Sequence, residues 1–127
     1  MSDGNGTSMD QGGGTIQAVD EADFDARVLE RSHRVPVLVD FWAGWCAPCI
    51  TLAPVLERLA AERAGRLEVV KVEVDAGDNM RLAGHYRLRG FPTVILFRDG
   101  LERCRFAGSR SLEAVRRFVD ECLAGSA

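Results

Sequence analysis

Apolar positions along this chain switch repeatedly between the two-residue period of a strand and the 3.6-residue period of a helix. Residues 35–43 form a near-continuous apolar run, which predicts a central strand covered on both faces. Pro36 stands near its start, where a missing N–H is tolerated. Residues 67–74 alternate in strand fashion, and a short strand is predicted at 15–19. Two further apolar runs, 93–97 and 101–106, flank Asp99–Gly100 and predict an antiparallel hairpin. Helical spacing follows Asp20, a capping residue type, with Phe24, Val28 and Leu29 on one stripe. It returns over 46–64, where Leu52, Val55, Leu56, Leu59 and Ala60 share a face and Pro54 predicts a kink. Helices are also predicted over 79–86 and over 111–123, the latter apolar at Leu112, Val115, Phe118, Val119 and Cys122.

The order is β-α-β-α-β-α-β-β-α, with crossovers first and a hairpin last. It predicts an α/β fold: one mixed sheet with helices on both faces. At 127 residues the chain is long enough for one domain that needs no disulfide or metal to hold its core. Residues 1–14 are rich in Gly, Ser, Asp and Asn and read as a disordered tail, so the domain is expected over 15–127.

Composition narrows the partners. A net charge of −3 with no Lys/Arg cluster makes nucleic acid and anionic membrane poor candidates. No stretch is long and apolar enough to cross a membrane, and the N-terminus lacks the apolar core of a secretory signal. A cytoplasmic location is the expectation, and in a reducing compartment a C-x-x-C pair is more often catalytic than structural.

The chemistry sits in Trp42-Ala43-Gly44-Trp45-Cys46-Ala47-Pro48-Cys49, between the strongest strand and the longest helix. A thiolate at Cys46 meets the positive end of the helix dipole, which lowers its pKa. Cys49, one turn on, is placed to attack a mixed disulfide formed at Cys46. Asp40, inside an apolar strand, is expensive to bury unless paired or protonated, and desolvation raises its pKa toward the acid–base range.

These segments, with Pro54, Lys71, Arg89-Gly90-Phe91-Pro92-Thr93 and Gly108, resemble the thioredoxin family over about residues 15–124. The resemblance implies a thioredoxin fold, a central mixed β-sheet flanked by four α-helices. It implies a protein-disulfide reductase in which Cys46 is the exposed nucleophile and Cys49 the more buried resolving thiol. Asp40 would accept the Cys49 proton, with Lys71 beside it on the next strand; a buried Asp–Lys pair that only sets strand register is the alternative. Pro48 restricts the active-site loop and starts the helix, and Pro92 corresponds to the family's cis-proline. Trp45, Phe91, Pro92, Gly90 and Gly108 would line the substrate groove, with Trp42 filling the core; for either glycine, turn formation explains the residue equally well. No bound cofactor is implied beyond the Cys46–Cys49 disulfide. Implied partners are disulfide-containing proteins and a thioredoxin reductase as electron donor, and the chain is expected to be a monomer.

The chain departs from the family pattern at Ala47 and Ile50, where Gly and a cation are common, and at Arg87, where glycine is common. Residues 77–84 are slightly longer than usual. A thiol-disulfide oxidase or isomerase, and a binding module for a dedicated partner, are the alternative functions. Cys104 and Cys122 read as free, buried, small apolar residues, with a second disulfide or a regulatory thiol as the other possibilities. His33 and His85 are isolated and read as surface residues, and one C-x-x-C without a second ligand pair is not the usual zinc site.

Overall fold

The computed structural model describes residues 16–125, so the tail read at 1–14 and both outer limits of the 15–127 domain lie outside the described residues. The elements, in chain order, are β1 (Gln17–Ala18), a helical segment at residues 21–33, β2 (Val37–Trp42), α1 (Ala47–Glu62) and β3 (Glu68–Glu73). Then follow α2 (Met80–His85), β4 (Thr93–Arg98), β5 (Leu101–Ala107) and α3 (Leu112–Gly125). The five strands form one sheet in the order β1-β3-β2-β4-β5. β1 and β2 run parallel to β3, whereas β4 runs antiparallel to β2 and to β5, which makes the sheet mixed.

β2 occupies the middle position because both its faces are apolar. Val37, Val39 and Phe41 enter one core with Phe24, Val28, Leu82 and Ala83, from the first helical segment and α2. Leu38 enters the other core with Leu52, Leu56, Leu59, Val115 and Val119 of α1 and α3. The alternation expected of a strand thus assigns the two helix layers. Rings of Phe24, Phe41, Tyr86 and Phe97 pack with centroids 5.5–6.2 Å apart in the first core. Two ion pairs tie α3 to the end of α1: Arg116 with Glu62, and Arg63 with Asp120 at 2.8 Å.

The first helix differs from the regular one the apolar stripe predicts. It runs as a 3₁₀ turn (Glu21–Asp23), a wider π turn (Asp25–Glu30) and a second 3₁₀ turn (Arg31–His33). Phe24 and Val28 are nonetheless buried as their spacing implies. The hairpin turn is also held from outside: Asp99 N–H donates to the Ser32 carbonyl at 2.9 Å and Gly100 N–H to Ser32 Oγ at 2.8 Å. Both turn residues have positive φ, 56° at Asp99 and 80° at Gly100, as a tight hairpin turn requires.

The reading of Cys104 and Cys122 as free thiols is overturned: they form a disulfide between β5 and α3, with Cα atoms 6.1 Å apart. The reason is a β-bulge. β5 pairs Leu101 with Arg98 and Glu102 with Phe97, then skips Arg103 to pair Cys104 with Leu96. Without that extra residue Arg103 would share the face of Leu96, and Cys104 would point to the opposite side of the sheet. The bulge aims Cys104 at α3, where Cys122 follows Val115 and Val119 on the buried face.

Candidate active site

The redox pair sits where β2 ends and α1 begins. Cys46 is the N-cap of α1, with extended backbone, and its Sγ accepts a hydrogen bond from Cys49 N–H at 3.2 Å. Cys46 and Cys49 form a disulfide with Cα atoms 5.3 Å apart. Pro48 falls in the first turn, where its missing N–H leaves no helical bond unmade, and Pro54 lies inside the helix. The exposed Cys46 implied by the family resemblance is corrected: in the disulfide state Cys46 is only 4% exposed and Cys49 2%. Cys46 Sγ lies 3.3 Å from the Phe91 carbonyl, so the neighbouring loop covers it. Ala47 and Pro48 remain exposed beside it.

The loop before β4 forms the opposite wall. The Phe91–Pro92 peptide bond is cis and Pro92 is buried. The Pro92 carbonyl accepts from Gly108 N–H at 2.9 Å, which draws the end of β5 against this loop. Gly108 has φ 88°, so its glycine answers a backbone requirement. Gly90 has no such φ, and an added Cβ there would meet no protein atom within 4 Å. Turn chemistry therefore explains Gly108, and nothing among the described residues demands glycine at Gly90.

Trp45 is 70% exposed, as its place before Cys46 suggests. It is nevertheless held: its Nε1 donates to Asp75 Oδ2 at 2.7 Å, and its ring meets Phe91 edge-on at 6.1 Å. Asp75 is the site residue that sequence reading misses, because its run reads simply as a loop after β3. Ile50, 62% exposed in the first turn of α1, extends the apolar surface. Trp42 is half-buried against the core, in line with a filling role.

Asp40 lies on β2, two positions after Leu38 and so on the α1 side of the sheet, and it is 6% exposed. Burial pushes its carboxyl up to about 7, with the Lys71 charge pulling the other way. Asp40 and Lys71 are register partners on β2 and β3. The Lys71 ammonium lies over the Trp42 ring, 5.7 Å from its centroid. Among the described residues neither Asp40 Oδ1 nor Trp42 Nε1 has a hydrogen-bond partner. His33 and His85 are exposed, and no group of three or more His, Cys, Asp or Glu among the described residues is placed to hold a metal.

Comparison with known proteins agrees with this geometry. The family model described as Thioredoxin matches residues 15–121. A thioredoxin of Mycolicibacterium smegmatis is 40% identical over 91% of this chain and its own full length. One of Mycobacterium tuberculosis (strain H37Rv) is 46% identical over 84% of this chain and 88% of its own. A bifunctional thioredoxin reductase/thioredoxin of Mycobacterium leprae is 42% identical over 91% of this chain but only 24% of its own length. A disulfide pair capping a helix, opposite a cis-proline loop, is therefore found in a chain that belongs to the thioredoxin family, the thiol–disulfide oxidoreductases that reduce protein disulfides.

Proposed function

We propose that this chain is a general reductant of protein disulfides, with Cys46 the attacking sulfur and Cys49 the resolving one. The observation that carries the assignment is the N-cap geometry of Cys46, whose sulfur already accepts the Cys49 N–H. A thiolate there is stabilised by that N–H and by the helix dipole. It attacks a substrate disulfide, forming a mixed disulfide with one substrate sulfur and releasing the other as a thiolate. Cys49 then attacks the mixed disulfide at Cys46, which releases the second substrate thiol and leaves the internal disulfide. Two electrons pass to the substrate.

Cys49 must lose a proton before it attacks. Three observations support Asp40 as acceptor: it is buried, its Oδ1 has no partner among the described residues, and burial pushes its carboxyl up to about 7. Lys71 supplies charge beside it that draws its carboxyl down against the larger effect of burial. Trp45, Phe91 and Gly90, with the backbone at Pro92 and Gly108, form the groove that an extended substrate segment would occupy. Ala47 and Ile50 leave the redox pair without an added cation in the first turn.

The oxidised pair is returned to the dithiol by a thioredoxin reductase. Support comes from the relative in which a thioredoxin reductase and a thioredoxin are joined in one bifunctional chain. A reductant of this kind acts where reducing equivalents are supplied, which favours the cytoplasm. A Cys49→Ser variant passed through a cell extract tests the reading. Capture of many proteins by disulfide bonds to Cys46 supports a general reductant; capture of one species would assign a dedicated partner instead.

A further inference from the structure

We propose that Cys104 and Cys122 form a second thiol–disulfide couple, independent of the catalytic pair, that opens and closes with the surrounding thiol/disulfide balance. The first observation is placement. A bulge at Arg103 directs Cys104 to the face of the sheet where Cys122 completes the buried stripe of α3. The disulfide thus joins the edge strand to the last helix, two elements that pack together without it.

The second observation is that α3 is held by contacts other than the disulfide. Val115 and Val119 are fully buried, Phe118 packs edge-on against Phe106 at 4.9 Å, and Arg116 and Asp120 are ion-paired with Glu62 and Arg63. A reduced Cys is a small apolar side chain, so opening the bond requires the two sulfurs only to move apart to van der Waals contact within that layer. Opening the bond therefore leaves α3 docked, and a domain of this size does not need a disulfide to fold.

The third is access. Cys122 is 6% exposed, whereas Cys104 on the edge strand is only half-buried, so the external attack is assigned to Cys104. The first attack breaks the Cys104–Cys122 bond, forms a mixed disulfide at Cys104 and releases Cys122 as a thiolate, which takes a proton from solvent. A second external thiol frees Cys104 and leaves as the external disulfide. The pair gains two electrons and two protons, and a low-molecular-weight disulfide reverses both steps.

Cys46 cannot act on this bond within one molecule. Cys104 lies four positions before Gly108, about 13 Å along the strand from the Gly108–Pro92 contact, beyond disulfide reach. The test uses the full chain carrying Cys46→Ser and Cys49→Ser, so that failure of the catalytic reading does not touch it. The variant is equilibrated in buffers of graded glutathione to glutathione-disulfide ratio, quenched in acid, alkylated and weighed. The expected result is a reversible passage between no label and two labels, at Cys104 and Cys122, with helical circular dichroism retained. Amide exchange in α3 should quicken on opening by a factor on the order of 10². Two free thiols at the most oxidising ratio would overturn the proposal. So would a bond that excess dithiol leaves closed while the domain stays folded, which would make it a fixed cross-link.

Discussion

Asp40 and Lys71 are paired in register on adjacent parallel strands, yet the carboxyl of Asp40 titrates near 7 rather than in the usual carboxylate range. Burial wins over the neighbouring charge, because the α1 side of the sheet offers Asp40 apolar surroundings and its Oδ1 no donor. A carboxyl raised in the folded state binds its proton more tightly folded than unfolded. Its contribution to stability is complete below the ordinary value of 3.8 and is lost as pH rises through about 7. Asp40→Asn should therefore match the parent near pH 4 and exceed it by a few kcal/mol at pH 8. Urea unfolding of both proteins across that window checks this; a constant difference would show that Asp40 does not titrate there.

The same substitution separates the two chemical steps. Asp40→Asn should leave attack by Cys46 little changed and slow resolution by Cys49 roughly 10²-fold at pH 7, the low end of general acid–base contributions. Rapid-quench trapping should show the mixed disulfide accumulating in the variant. Equal slowing of both steps would assign Asp40 a purely structural place in the strand.

Arg87 has φ 56°, in the left-handed region, just after α2. Its N–H closes on the Gly84 carbonyl and the Leu88 N–H on Ala83, so the backbone is committed to that turn. A side chain there is strained, and Arg87→Gly should stabilise the domain by about 0.5–1 kcal/mol after the flexibility that glycine adds to the unfolded chain. Thermal unfolding would show it as a higher midpoint, with reductase activity retained.

The Trp45 indole is fixed by Asp75 at 2.7 Å. Asp75→Ala should free the ring and lower kcat/KM for a protein disulfide by about fivefold, the worth of roughly 1 kcal/mol, mostly through KM. Reduction of a small disulfide that does not use the groove should change little. A shift in Trp45 fluorescence reports the freed ring, and an unchanged KM for the protein substrate would remove Asp75 from the groove.

How much of this was legible in the sequence depended on what each feature required. The central strand, the helix carrying the cysteines and the hairpin followed from apolar periodicity, and β2, α1, β4 and β5 differ from the expected spans by a few residues. The cysteine pair and Asp40 were legible because their residue types conflict with their surroundings, a polar or reactive group within an apolar run. Features set by contacts far apart in the chain were not. The Arg103 bulge changes the face of Cys104, and a one-residue register shift leaves no periodic trace in a strand this short. Asp75 matters only because Trp45, thirty positions earlier, comes within 2.7 Å of it. Asn79 reads only as the start of a short helix, yet its buried amide donates to Asp20 and Glu73 and accepts from Glu21 N–H, joining the first helical segment to the end of β3. The broken first helix is a further case, since Phe24 and Val28 reach the core equally well from a π turn.

The most direct test of the central claim is a single-turnover reaction of the reduced chain with a protein disulfide, with thiols counted by mass on both partners. One chain should reduce one disulfide and acquire a Cys46–Cys49 bond. Cys49→Ser should stop at a mixed disulfide on Cys46, and Cys46→Ser should not react. Undiminished reduction by Cys46→Ser would contradict the assignment of the attacking sulfur, and with it the role given to the N-terminus of α1.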